Sequence, residues 1–102
     1  MIVHMVLLKV KKSVSAAKIA RVMKLVGEMR RKTPGITGYT WGRYASPEGL
    51  NQGFTHGFCM TFKDARSRDA YLPHPAHDIV KAKVLEILDG DVRGVIAFDY
   101  EA

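Results

Sequence analysis

Two prolines standing two positions apart, Pro73 and Pro75, cut a stretch that is otherwise helical in character. Proline has no backbone donor and its ring clashes with the turn before it, so a helix capped by Asp64 must stop near Leu72. At the first position of a helix, however, proline is well tolerated. With His74 at the cap and Pro75 just inside, a second segment restarts and runs to Asp89. Val80, Val84, Ile87 and Leu88 recur at spacings of three and four along it, which marks its inner stripe, and Gly90 ends it. The run Tyr71-Leu72-Pro73-His74-Pro75-Ala76-His77 therefore predicts a rigid corner between two helices.

The rest of the chain arranges itself around that corner. Residues 2–10 are aliphatic and β-branched with a single embedded His4, and read as a strand. Ser13 or Ser15 can cap a helix over residues 15–32, whose Ile19, Val22, Met23, Val26 and Met29 lie on one face. Pro34 and Gly35 close it. Residues 38–44 have strand character through Tyr39, Thr40, Trp41 and Tyr44, and residues 45–52 supply loop-forming Ser, Pro, Gly and Asn. Over residues 53–62, Phe54, His56, Phe58, Met60 and Phe62 alternate with smaller residues, as in a strand with one apolar face. Residues 91–101 form the last strand.

The predicted order is β-α-β-β-α-β, the split pattern of a ferredoxin-like α+β sandwich. At 102 residues the chain is the size of one domain, spanning positions 1–102. A chain of that length buries only a modest core, yet 47% of its residues are hydrophobic. The expected arrangement places helices on one sheet face. His4, Val6 and Leu8, together with Phe54, His56, Phe58 and Phe62, are expected on the other. A face so apolar needs a cover, and a second copy of the chain, forming a two-fold homodimer with a closed barrel, is the simplest one.

Charge narrows the partners. The formal net charge is +6, but Lys18, Arg21, Lys24, Arg31 and Lys32 share a helix with Glu28, and no basic run is interleaved with exposed aromatics. The pattern reads as a solvated face and argues against a nucleic-acid partner. No apolar run approaches the length needed to span a bilayer, so no membrane role is expected. The first residues run from apolar to lysine, the reverse of a secretion signal. Cys59 is the only cysteine, which excludes an intrachain disulfide and suits a reducing cytoplasm.

The polar residues within this apolar frame are the candidates for chemistry. His4 and His56 fall on strands that neighbour one another in such a sheet, and His77 shares a helix face with Val80, Val84 and Leu88. Joined by Tyr71, and walled by Phe54 and Phe58, they are expected to line a cavity for a small organic ligand. Imidazole titrates near neutrality, so His77 can serve as a base while the Tyr71 phenol polarises a carbonyl oxygen or orients the imidazole. The competing reading is a non-catalytic accessory domain whose histidines are satisfied core groups. A side-chain metal site is not expected, since His74, His77 and Asp78 lie in a segment that proline breaks. Gly35, Gly38 and Gly42 match no nucleotide-binding fingerprint.

Across its whole length the chain resembles the stress-responsive dimeric α/β-barrel, or Dabb, family. The matching features are His4-Met5-Val6-Leu7-Leu8-Lys9, Trp41-Gly42, Gly53-Phe54-Thr55-His56, Met60-Thr61-Phe62, the Tyr71 to His77 run, and Phe98-Asp99-Tyr100. The resemblance implies a homodimer in which two ferredoxin-like sheets close a barrel. It also implies a comparison with a plant polyketide cyclase of the family, which performs an intramolecular aldol condensation. The catalytic tyrosine and histidine of that enzyme match Tyr71 and His77, and its two supporting histidines match His4 and His56. Leu72-Pro73 departs from the bulky aliphatics that follow the tyrosine there, which alters the pocket. Some plant members hold magnesium through backbone carbonyls, at positions matching Arg30, Thr33 and Ile36; Arg30 and Arg31 bring positive charge to that turn.

Overall fold

The computed structural model describes residues 1–102. Four antiparallel strands, β1 (Ile2–Leu8), β2 (Ile36–Arg43), β3 (His56–Phe62) and β4 (Val95–Glu101), form one sheet in the order β2-β3-β1-β4. Three helices, α1 (Ala16–Gly27), α2 (Ala65–Tyr71) and α3 (Pro75–Ile87), complete a ferredoxin-like α+β fold. None of them is long and apolar enough to cross a membrane.

Local chemistry sets the element ends. The Ser15 hydroxyl accepts from the Lys18 N–H at 3.1 Å and caps α1. Asp64 does the same for α2 at Ser67, 2.8 Å away. His74 caps α3, its Nδ1 accepting from the Ala76 N–H at 3.0 Å, and Pro75 takes the first helical turn.

Several boundaries fall inside the expected ones. The first helix tightens into a 3₁₀ turn at Glu28–Arg31, which buries Met29 and is closed by the Thr33 hydroxyl donating to the Met29 carbonyl at 2.7 Å. β1 ends at Leu8 because the Val10 N–H turns to the Thr55 hydroxyl instead of a neighbouring strand. β4 starts only at Val95, after a left-handed Gly90 and a 3₁₀ turn at Asp91–Gly94. Phe54 precedes β3, with its N–H bound to the Asn51 carbonyl within the loop.

The two sheet faces are exchanged relative to the sequence expectation. Val6, Leu8, Phe58, Met60 and Phe62 pack with Ile19, Val22, Met23, Val26 and Met29 of α1 and its following turn, and with Val84 and Ile87 of α3. That is the helix-covered face, and His4 belongs to it. The helix-free face carries Val3, Met5 and Leu7 of β1 beside Tyr100, Phe98 and Ile96 of β4. Met5, Leu7, Ile96, Phe98 and Tyr100 are all exposed in the single chain. Alternation along β1 could not separate the faces, because Ile2-Val3-His4-Met5-Val6-Leu7-Leu8 is apolar on both.

Candidate functional site

Between α3 and the β1–β4 half of the sheet lies a cavity of about 540 Å³, lined mainly by Val6, Val26, Phe58, Val80, Val84, Leu85, Val95 and Ala97. Three polar rings project among these apolar walls: His4, Tyr71 and His77. β1 delivers the first, the end of α2 the second and the first turn of α3 the third. The proline-broken corner is what brings the last two together. Their ring centroids lie 4.6 Å apart, and the His4 ring sits 6.1 Å from that of Tyr71.

Tyr71 is 2% exposed, packed against Phe62 at 5.2 Å. Its hydroxyl has no hydrogen bond within the chain, yet no wholly enclosed side-chain polar atom goes unpartnered, so the hydroxyl opens onto the cavity. Burial pushes the phenol up to about 12. It therefore stays protonated near neutral pH and available as a donor.

His77 has its tautomer fixed by the corner. Its Nδ1 lies 2.9 Å from the Leu72 carbonyl, which can only accept, so Nδ1 carries the proton and Nε2 keeps a free lone pair. Burial lowers the pKa of the imidazole below its usual 6.5; the hydrogen bond to Leu72 opposes this in part, and the positive charge of Lys81 adds to it. A neutral ring with an unprotonated Nε2 is the form a general base requires.

His4 is held differently. Its Nδ1 is 2.6 Å from Asp99 Oδ1, and Asp99 Oδ2 accepts from Arg68 Nη1 at 2.8 Å. Arg68 Nε also donates to Asp69 at 2.8 Å. Burial alone would raise the Asp99 carboxyl, but the hydrogen bonds from His4 and Arg68 outweigh it and leave the pKa below 3.8. The ionised carboxylate thus holds the proton on His4 Nδ1 and orients the ring.

His56 and Phe54 do not reach this cavity. In the antiparallel register His4 faces Met60 while His56 faces Leu8. Four residues of strand separate the two histidines, a distance of about 13 Å at the usual rise per residue. His56 instead bonds Thr55 Oγ1 at 2.8 Å, with its pKa lowered by burial and then by Arg43. Phe54 lies under the Lys9 ammonium, which sits 5.0 Å from its ring centre. Phe58 does line the cavity.

The three carbonyl positions named for a cation, Arg30, Thr33 and Ile36, fall on the 3₁₀ turn, on the segment after it and at the start of β2. The Thr33 hydroxyl is committed to Met29, and Arg30 and Arg31 supply like charge in the same turn. No step below runs through a cation at these positions. No group of three or more His, Cys, Asp or Glu side chains is placed to hold a metal.

Sequence reasoning missed Asp99 and Arg68 as parts of the site. Asp99 had a signal, as a carboxylate inside the last strand sharing parity with Val95 and Ala97. Arg68 had none, because its partner lies 31 residues away.

A ferredoxin-like sandwich with a mostly apolar hollow lined by His4, Tyr71 and His77 defines a class of α+β protein with a polar-lined cavity under its helices. Within that class the chain belongs to the Dabb family, the stress responsive A/B barrel domain, whose model matches residues 2–102. It is 31% identical over 98 residues to the stress-response A/B barrel domain-containing protein HS1 of Arabidopsis thaliana, covering 96% of this chain and 86% of that one. It is 26% identical over 74 residues to olivetolic acid cyclase of Cannabis sativa, covering 72% and 73%. The fold matches the crystal structure of a protein of unknown function from Jannaschia sp. CCS1, described as dimeric and ferredoxin-like. That match has TM-score 0.88 at 24% identity and covers 99% of this chain and 98% of that one.

Proposed function

We propose that the chain is a homodimer that binds a small organic carbonyl compound in the cavity under α3 and moves a proton at the carbon beside that carbonyl. His77 Nε2 takes the proton. The Tyr71 hydroxyl donates a hydrogen bond to the carbonyl oxygen as it becomes an enolate. The enolate carbon can then be reprotonated by the imidazolium or attack a second carbonyl of the same molecule, as in an aldol ring closure. The resemblance to a cyclase supports that second outcome.

One observation carries the reading: the bond from His77 Nδ1 to the Leu72 carbonyl leaves a basic Nε2 beside an unpaired phenol. The His4–Asp99–Arg68 chain supports a different role for His4. Bonded through Nδ1 to the half-buried Asp99 carboxylate, it orders the cavity wall, as in the reading where histidines are structural. The homodimer reading rests on the exposed apolar row Met5, Leu7, Ile96, Phe98 and Tyr100. A cytoplasmic location belongs to the same reading, supported by a single free Cys59.

Exchange of the α-protons of benzylacetone for deuterium, followed by NMR, tests the chemistry. The wild-type chain should accelerate exchange, and His77→Ala should abolish it while keeping its melting temperature. Equal exchange by wild type and His77→Ala, or a variant that only melts earlier, would leave the histidine with a structural role alone. Sedimentation of a stable monomer at micromolar concentration would remove the homodimer.

A further inference from the structure

The charge lining the cavity is unevenly placed. Lys81 is the one permanently charged residue among its walls, and no carboxylate stands there with it. It follows His77 by four positions on α3, so the two share a helix face. Lys81 makes no ion pair. The salt bridges of the chain join His4 and Arg68 to Asp99, Arg68 to Asp69, and Lys18 and Lys83 to Glu86. Its charge is felt inside the site, since it is among the influences that hold the His77 imidazole neutral. Asp78, three positions before it on α3, carries the opposite charge but neither pairs with Lys81 nor lines the cavity.

We infer, building on the roles given above to His77 and Tyr71, that Lys81 makes the cavity selective for carbonyl compounds with a carboxylate at one end and an apolar body. The carboxylate pairs with the Lys81 ammonium at the mouth. The body lies against Val26, Val80 and Val84, and the carbonyl comes within reach of the two rings. Lys81 is exposed, so the pair keeps part of its hydration and avoids the full cost of burying two ions. The apolar body gains by leaving water. An anion held one helical turn from His77 also favours the imidazolium that proton abstraction creates.

Heteronuclear NMR titration of the full chain with phenylpropanoate and with its neutral isostere phenylpropanamide tests the inference. The acid should shift the amide signals of Val80 and Val84 and bind about fivefold more tightly than the amide, as a solvent-exposed ion pair allows. Lys81→Met should bring the acid down to the affinity of the amide, and Lys81→Glu should invert their order. The inference is overturned if the acid does not bind, if wild type binds acid and amide alike, or if the preference survives Lys81→Met. Shifts confined to the surface around Lys11, Lys12 and Arg43 would overturn it too. Exchange of benzylacetone by the wild type, read in the same buffer, separates the two readings. Exchange without a preference for the acid removes only the role of Lys81, whereas no exchange removes the His77 chemistry itself.

Discussion

Two halves of one sheet face meet the helices in different ways. Where α1 and the end of α3 cover the sheet, Leu8, Met23, Met60, Ile87 and Leu88 are at most 1% exposed and none of them lines the hollow. Under the start of α3, the same face carries Val6, Val95 and Ala97 opposite Val80 and Val84, and the space stays hollow. Hydrophobic character is common to both halves; side-chain volume separates them. Long, flexible Met and Leu close the first half, while short, branched side chains hold the second open around three polar rings.

Truncation should expose that difference most strongly. Leu8→Ala in the filled half should cost about 2–5 kcal/mol in urea denaturation, because it opens a void where none exists. Val84→Ala borders a hollow already present and should cost about 1–2 kcal/mol, close to the transfer of its lost methyl groups alone. Equal losses would mean that the hollow is packed as tightly as the core.

Asp99→Asn should have a smaller effect, about 1 kcal/mol, because the pairs it weakens are partly open to water. The acid response should fall in two windows. His77 and His56 have folded pKa values below 6.5, so the unfolded chain takes up protons first and stability falls as pH drops below that value. Asp99 has a folded pKa below 3.8, so its contribution is intact above that value and is lost as pH falls through the lower folded pKa. Asp99→Asn should remove its share of the second window and leave the first, as read from melting temperature against pH.

The smallest change in stability should come from filling the hollow. Ala97→Leu adds volume where there is room and should alter stability by less than about 1.5 kcal/mol. It should nevertheless abolish benzylacetone exchange. Unchanged exchange would place the reacting molecule outside this half of the face.

What the sequence revealed follows the range of the forces involved. Element order was legible because capping by Asp64 and His74, the Pro73–Pro75 break and the Ile19-Val22-Met23-Val26 stripe are all local. Tyr71 and His77 were legible as neighbours for the same reason. Which sheet face takes the helices was not, since β1 is apolar on both sides and the crossover through α1 decides it. The expected closeness of His4 and His56 failed on register, which places His56 against Leu8 at the far end of the pairing. The Arg68–Asp99 bond joins α2 to β4, and no spacing rule reaches that far.

The proposed proton transfer turns on the protonation of one ring, which nitrogen-detected NMR of His77 reads directly. It predicts a neutral ring with the proton on Nδ1, a free Nε2, and a titration midpoint below 6.5. A proton on Nε2, or a midpoint above 6.5, would contradict the assignment of His77 as the base.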